Sequence, residues 1–208
     1  MAVYALAAAL LVVALLPATL WAAEEKTETP PVAVRMVLTE AFRILEDPSL
    51  KAPSRQAERR HLLEESIARR FDYREMSKRT LASHWTHLTD AERVEFVDLF
   101  KGFLSDRYAG KIEGYSGEKV HYLSERLEGA YAEVRTKLVS NKVEIPMDYR
   151  LINKDGRWYA YDIVADGVSL VKNYRSQFDK IIGSESYAEL TTRLRNRTVT
   201  EEAKKKRD

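Results

Sequence analysis

The 208-residue chain carries 34 basic and 32 acidic side chains, and 45% of its residues are hydrophobic. This composition is typical of a folding chain, and it excludes a disordered tail, a collagen-like repeat and a polytopic membrane protein. The absence of cysteine excludes disulfides, thiol catalysis, iron–sulfur clusters and zinc sites built on cysteine.

Residues 1–23 form an apolar segment without a charged side chain. Ala5 to Leu16 fits the apolar part of a signal peptide, Pro17 breaks that run, and Ala22-Ala23 offers small residues for cleavage. No Lys or Arg precedes the run, so an uncleaved anchor stays open, since about 20 apolar residues can span a bilayer. Both interpretations place the rest of the chain outside the cytoplasm. Residues 24–31 form a polar linker.

The next stretch, up to about residue 108, has the spacing of helices. An apolar stripe between Met36 and Leu45 predicts a first helix that ends near Pro48, and a charged helix follows over residues 54–68. A short third helix follows around Met76. Thr89 and Glu92 form a capping box at the start of a fourth helix, whose aromatic face spans residues 96–108.

From Gly110 onward the hydrophobic period falls to two, which predicts strands. The clearest alternation is Val143, Ile145, Met147, Tyr149 and Leu151. The turn signal at residues 153–156 predicts a hairpin with the strand that follows it, and Pro146 predicts a sheet edge or a bulge. Helical spacing returns at residues 169–183, and Ser186 with Glu189 predicts a cap on one more helix. The pattern indicates an α+β fold with a four-stranded antiparallel meander.

Catalytic and metal-binding motifs are missing from the sequence. There is no Gly-x-Ser-x-Gly elbow and no phosphate-binding glycine loop. His84 and His87 could face one metal ion, but no acidic partner stands at a recognisable spacing, and a solvated loop is the alternative. The carboxylates between Asp148 and Asp166 could supply an acid–base pair, or serve only turns and strand ends. We expect no catalytic residue, no metal and no cofactor.

Aromatic residues concentrate in the middle of the chain. Of the 20 in the sequence, 16 lie between Phe71 and Phe178. Helices that cover one face of a curved sheet could pack these side chains into a solid core, or could leave an apolar cavity that they line. Periodicity does not choose between these two arrangements. Residues 24–190 carry a net charge of −2 and residues 191–208 a net charge of +4, so the folded part offers no field that would steer nucleic acid.

Three segments resemble the MlaC family: Asp148–Leu151, Gly156–Ile163, and above all Asp166–Phe178, with its Gly-Val-Ser-Leu-Val-x-Asn-Tyr-Arg-x-x-Phe run. The helical half matches the same family at Phe71-Asp72-Tyr73, Met76, His84-Trp85, Leu88-Thr89, Glu95-Phe96 and Tyr108. The resemblance covers residues 32–190, which we take as the domain, and residues 191–208 form a basic tail.

The resemblance implies a periplasmic phospholipid carrier and not an enzyme. Such carriers exchange lipid between an outer-membrane lipoprotein complex and an inner-membrane ABC transporter with an MCE-domain protein, and relatives are linked to toluene tolerance. It also implies a twisted sheet under a helical layer, with acyl chains in an enclosed apolar cavity. The residues expected to contact lipid are Phe96, Phe100, Leu104, Tyr108, Tyr149, Leu151, Tyr161, Ile163, Val168, Val171, Tyr174 and Phe178.

Alternatives remain at this point. The ligand could be another apolar molecule, such as a hopanoid or an organic solvent. A polar cavity floor with a carboxylate or a histidine would favour an enzyme, and a solidly packed interior would favour a structural adaptor. Basic side chains expected at the rim of the cavity are Lys111, Arg126, Arg150 and Arg157.

Overall fold

A computed structural model describes residues 28–140, 144–197 and 199. The predicted signal or anchor, most of the linker, Val143 and most of the basic tail lie outside these residues. The α-helices are α1 (Pro30–Glu46), α2 (Gln56–Ala68), α3 (Tyr73–Leu81), α4 (Asp90–Glu113), α5 (Leu170–Ser184) and α6 (Tyr187–Arg195). The strands are β1 (Lys119–Glu128), β2 (Tyr131–Val139), β3 (Glu144–Lys154), β4 (Arg157–Ala165) and β5 (Val168–Ser169). Within the described ranges, no helix is long and apolar enough to cross a bilayer.

The helix ends form where the sequence signals predict them. The capping box is confirmed, since the Thr89 hydroxyl accepts from the Glu92 amide at 3.3 Å and the Glu92 carboxylate accepts from the Thr89 amide at 2.8 Å. The Ser186 hydroxyl likewise accepts from the Glu189 amide at the start of α6. These caps satisfy amide groups that have no partner inside the helix.

The sheet is an antiparallel meander with the strands in chain order, β1 to β5. The prediction of four strands is corrected to five, because the chain turns at Asp166-Gly167 and Val168 pairs with Ala165. Asp166 and Gly167 have φ angles of 49° and 77°, as do Asp155 and Gly156 (51° and 79°) at the predicted β3–β4 hairpin. Two successive residues with positive φ are the geometry of tight two-residue hairpin turns.

The prediction for Pro146 is wrong in both forms. Strand β3 lies inside the sheet, and the register shifts occur at residues 122–124 and 150–151 instead. Pro146 pairs with Lys137 on β2, but the ladder with β4 begins only at Met147. The proline therefore stands beyond one end of the β3–β4 ladder, where its missing amide costs no strand pair.

The apolar side chains form separate clusters. One lies among helices α3 to α6, a second lies between α1 and the sheet, and a third joins the C-terminal half of α1 to α2. Helix α1 covers the sheet face that carries Ala132, Val134, Tyr149 and Leu151. Helices α3 and α5 pack against β4. The α+β class is confirmed, and the helical layer is divided between these clusters.

Candidate functional site

The residues predicted to contact lipid fall into two groups. The first lies in the helical core on α4 and α5, and consists of Phe96, Phe100, Leu104, Tyr108, Val171, Tyr174 and Phe178. The second lies where α1 covers the sheet, and consists of Tyr149, Leu151 and Ile163. Tyr161 and Val168 belong to neither group. The structure thus brings most of these residues together in two places and does not arrange all of them around one cavity.

The helical core is filled by its own aromatic rings. The ring centroid of Phe100 lies 5.2 Å from that of Phe178 and 5.4 Å from that of Tyr174, and Phe96 lies 5.8 Å from Phe178. These edge-to-face pairs have the separations of aromatic rings in contact. Phe96, Phe100 and Phe178 are fully buried. In this conformation the group packs as a solid interior, and its contact with a ligand stays a prediction.

Two tyrosines in the same core place their hydroxyl groups together. Tyr174, from the Asn-Tyr-Arg motif, is 1% exposed, and its hydroxyl lies 3.4 Å from the hydroxyl of Tyr108. A buried phenol needs a polar partner, and here the neighbouring helix α4 supplies one. The Tyr108 ring lies under the Lys111 ammonium, 5.2 Å from ring centroid to Nζ. Tyr174 therefore ties α5 to α4 through its polar end as well as its ring.

The interface between α1 and the sheet has a different character. Ala33 and Val34 of α1 and Ala132 and Val134 of β2 are all buried and small. Larger side chains surround them on the sheet: Tyr149, Leu151 and Trp158 are buried, and Tyr122, Met147 and Ile163 are half-buried. Small side chains let the helix lie close to the strands. Lifting the helix would open an apolar slot lined chiefly by hydrocarbon.

One margin of this interface exposes apolar side chains to solvent. Val32 and Met36 on α1 are 46% and 51% exposed, and Leu127 on β1 is 55% exposed. Leu127 pairs with the buried Ala132, so it lies on the sheet face that α1 covers. Arg35, on the same side of α1 as Val32, places its guanidinium 4.2 Å from the Tyr122 ring centroid on β1. Exposed apolar side chains beside a thin apolar interface are typical of a binding margin.

The two remaining predicted residues lie elsewhere. Tyr161 stands next to the bulge in β4, and its ring lies 4.1 Å from the Arg79 guanidinium and 6.2 Å from the Tyr131 ring. Val168 is 55% exposed on the short strand β5, so the expectation that it lines an interior is corrected. Its place in the family-like run reflects a turn between β4 and α5 and not a lining position.

Charged side chains make a row across the opposite face of the sheet. Arg126, Glu133, Arg150 and Asp162 pair in register from β1 to β4. Arg150 lies 2.9 Å from Asp162 and 3.6 Å from Glu133. Cross-strand pairs of opposite charge stabilise a sheet. Arg126 and Arg150 therefore belong to this row, and with Lys111 and Arg157 in other elements the predicted basic rim does not form.

Asp162 fixes the last strands to helix α5. Its carboxylate is 1% exposed and accepts from the Ser169 hydroxyl at 2.6 Å, the Val171 amide at 3.0 Å and Arg150 at 2.9 Å. Negative charge at a helix N-terminus is stabilising. These contacts occupy both carboxylate oxygens, so Asp162 serves the fold, which answers the question of an acid–base pair at this residue.

An enclosed cavity is not confirmed. Two open clefts of about 400 and 410 Å³ lie side by side and share Ala68 and Lys101. Charged and aromatic side chains line them, including an ion pair between Lys154 and Asp72. Lys101 Nζ lies 5.7 Å from the Tyr73 ring centroid, and burial raises the pKa of Tyr73 to about 12, so its hydroxyl stays protonated at neutral pH. These clefts suit water and small polar groups better than acyl chains.

Metal-binding clusters are absent from the ranges that the structure describes. His84 does not face His87 across a metal site; its Nε2 lies 2.9 Å from the Asp179 carboxylate on α5. The predicted alternative of a solvated loop is also only partly right, since a 3-10 turn over residues 82–87 buries Trp85.

Sequence reasoning missed several residues of the α1–sheet interface. Ala33, Val34 and Val134 were not among the expected lipid contacts, and Trp158 entered only as part of a motif. Strand alternation marked Val134 as facing inward, and helical spacing marked α1 as amphipathic. Neither signal says that these two elements face each other.

Comparison with known proteins identifies relatives by sequence and by fold. The family model described as MlaC protein matches residues 35–196. The intermembrane phospholipid transport system binding protein MlaC of Haemophilus influenzae is 24% identical over 122 residues, which cover 56% of this chain and 57% of that protein. The matched stretch thus spans little more than half the length of this relative.

A solved structure has a similar fold. It is the phospholipid-binding protein from Ralstonia solanacearum in complex with a phospholipid, with a TM-score of 0.73 and 24% sequence identity. The match covers 80% of this chain and 94% of that one. At this level of identity, the likeness supports the shared fold.

Proposed function

The chain belongs to the MlaC family, since the family model matches most of its length, and on that premise we propose that it binds a phospholipid and carries it through the periplasm. The observation that carries the proposal is the fold: the Ralstonia solanacearum protein of similar fold is described in complex with a phospholipid. The missing catalytic and metal constellations in the described ranges fit a carrier, which needs an apolar enclosure and little chemistry.

We place the acyl chains between helix α1 and the sheet. The helical core is already filled by rings in contact, so a ligand there would have to displace buried aromatic side chains. The α1–sheet interface instead meets through small side chains, and its margin exposes Val32, Met36 and Leu127. Acyl chains that enter at this margin replace contacts between α1 and the sheet by contacts of the same apolar kind.

Helix α1 is built to move at one end only. Its C-terminal half is fixed to α2 by a cluster that contains Ala41, Ile44, Leu45, Leu50 and Leu63. Its N-terminal end is held by one carboxylate, Glu28, which accepts from Arg70 Nη1 at 2.8 Å and from the Trp158 amide at 3.2 Å. We call Glu28, Arg70 and the Trp158 amide the α1 latch. Opening the latch lifts the N-terminal half of α1 while the α2 contact serves as the hinge.

The energetics of lipid transfer explain why such a slot is needed. A diacyl lipid buries roughly 28 to 30 methylenes, each worth about 0.8 kcal/mol, so its bare desorption into water costs on the order of 20 kcal/mol. A protein slot removes most of that cost if the chains stay in apolar contact. The headgroup can remain in water, so few polar contacts are required.

The periplasm and the two membrane complexes complete the proposal. The apolar segment at residues 1–23 favours export, with cleavage or with retention as a tether. In this role the protein exchanges lipid with an inner-membrane ABC transporter that has an MCE-domain protein and with an outer-membrane lipoprotein complex. These partners come from the family resemblance.

Purification of the full chain, lipid extraction and mass spectrometry test the proposal. We expect phospholipid in about equimolar amount; a hopanoid or another apolar molecule in its place would replace the ligand class, and an empty protein would refute the carrier function. Leu127→Asp should lower the bound amount, because it puts a charge at the margin of the slot. Val94→Asp is the matched control, since Val94 is 56% exposed on α4. Equal lipid in both variants would overturn the placement at α1.

A further inference from the structure

Helices α3 and α5 concentrate positive charge on one side of the molecule. Each carries three basic residues and one acidic residue, a net charge of +2 per helix, although the whole chain has a net charge of only +2. Helix α4 carries six acidic and four basic residues and is net negative. The two positive helices pack side by side, and Arg175 Nε donates to the Arg79 carbonyl oxygen across their contact at 2.8 Å.

Four cations on these helices have no carboxylate partner among the described residues: Arg74, Lys78, Lys172 and Arg175. All four are exposed, and we call them the cationic face. Arg74 and Lys78 are one turn apart on α3, as are Lys172 and Arg175 on α5, so each pair shares a side of its helix. Many other arginines of the described chain form ion pairs, which makes this grouping unusual.

The acidic residues of the same helices do not neutralise the cationic face. Glu75 is occupied by Arg79, whose Nε lies 2.7 Å from its carboxylate, and Asp179 lies 2.9 Å from His84. Val168, 55% exposed, comes just before α5 and one turn before Lys172. A group of cations beside an exposed apolar side chain is the combination that binds the interface of an anionic bilayer.

We propose that the cationic face docks the protein on a bilayer surface that contains anionic phospholipid. The choice of a membrane over an acidic protein rests on the proposed function, since a lipid carrier has to approach a membrane to load or unload. The face is formed by α3 and α5, whereas the proposed lipid slot is formed by α1 and the sheet. Docking and lipid binding are therefore separable by mutation.

Vesicle binding by the full chain tests this proposal. The neutral double variant Lys78→Gln/Lys172→Gln is compared with wild type on vesicles of equal parts phosphatidylglycerol and phosphatidylcholine, and on vesicles of phosphatidylcholine alone. Each cation near an anionic surface contributes about fivefold in affinity, so the double variant should bind the anionic vesicles about 25-fold more weakly. About 1 M salt should weaken wild-type binding to the same vesicles, because it shortens the Debye length to about 3 Å. The neutral vesicles report any contribution of the apolar N-terminal segment.

Lys51→Gln/Lys119→Gln removes the same charge from two exposed lysines outside the cationic face, and it should bind as wild type does. Equal vesicle binding by both double variants would overturn the proposal, and so would wild-type protein that ignores anionic lipid and leaves an acidic protein as the partner. Lipid that co-purifies with Lys78→Gln/Lys172→Gln should stay at the wild-type amount. That measurement separates the failure of docking from a failure of the carrier function itself.

Discussion

Removal of the α1 latch by Glu28→Ala should speed the release of bound phospholipid. Glu28 holds the N-terminal end of α1 through Arg70 Nη1 at 2.8 Å and the Trp158 amide at 3.2 Å. The side chains of Glu28 and Arg70 are only 15% and 22% exposed, so solvent screens this pair less than it screens a surface ion pair. Alanine removes both hydrogen bonds and leaves the hinge at α2 intact.

The size of the effect follows from these two contacts. A hydrogen bond to a charged group is worth about 1.5 to 3 kcal/mol, and partial exposure places the loss of both at about 2 kcal/mol. If α1 opens and closes quickly before lipid leaves, that loss raises the open population, and with it the release rate, by up to about 30-fold. The assay follows a fluorescent phospholipid from the loaded protein to acceptor vesicles.

Glu40→Ala supplies the matched control on the same helix. Glu40 pairs with Arg43 at 2.8 Å, but both side chains are well exposed and neither reaches the sheet. We expect wild-type release from this variant. If Glu28→Ala releases lipid no faster than Glu40→Ala, the N-terminal end of α1 is not the gate, and the slot must open elsewhere.

Three further predictions concern stability. Phe100→Ala should destabilise the fold by about 3 to 5 kcal/mol, because Phe100 is fully buried among aromatic rings; urea unfolding measures this, and a loss under 1 kcal/mol would mean that the core is not packed as described. Asp162→Ala should cost about 3 kcal/mol, since it leaves the Ser169 hydroxyl and the Val171 amide without their buried acceptor, whereas exposed Asp166→Ala should change the midpoint little. Burial raises the pKa of Tyr73 from 10.0 to about 12, so the unfolded chain loses this proton first; stability should be level below pH 10 and fall by up to about 1.4 kcal/mol per pH unit as the pH rises from 10 to 12. Tyr73→Phe should reduce that alkaline loss, and an unchanged profile would show that Tyr73 does not cause it.

Local signals in the sequence predict the elements well. The Thr89 capping box, the Ser186 cap and the β3–β4 turn all depend on contacts between residues a few positions apart. Such contacts are decided by residue type and spacing, so they can be read without knowledge of the fold. The two-residue strand β5 escaped prediction because a period of two cannot be seen in two residues.

The assignment of the candidate site depended on something that periodicity does not contain. Phe100 and Tyr149 both have the pattern of inward-facing residues, yet Phe100 packs among helices and Tyr149 packs under α1. An inward-facing pattern shows that a side chain leaves water, not which partner it meets. Val168 shows the converse, since a position within a specific family-like motif lies exposed in a turn region.

The sequence by itself determined where helices and strands begin and end, because capping, turn geometry and alternation act over a few residues. It also carried the family resemblance that names a lipid as the ligand. Only the tertiary structure decided that the aromatic residues fill a separate helical core, while small side chains such as Ala33 and Val134 hold α1 on the sheet. The reason is that burial rewards the removal of apolar surface from water without regard to direction, so the partner of each apolar face is chosen only when all the elements pack together.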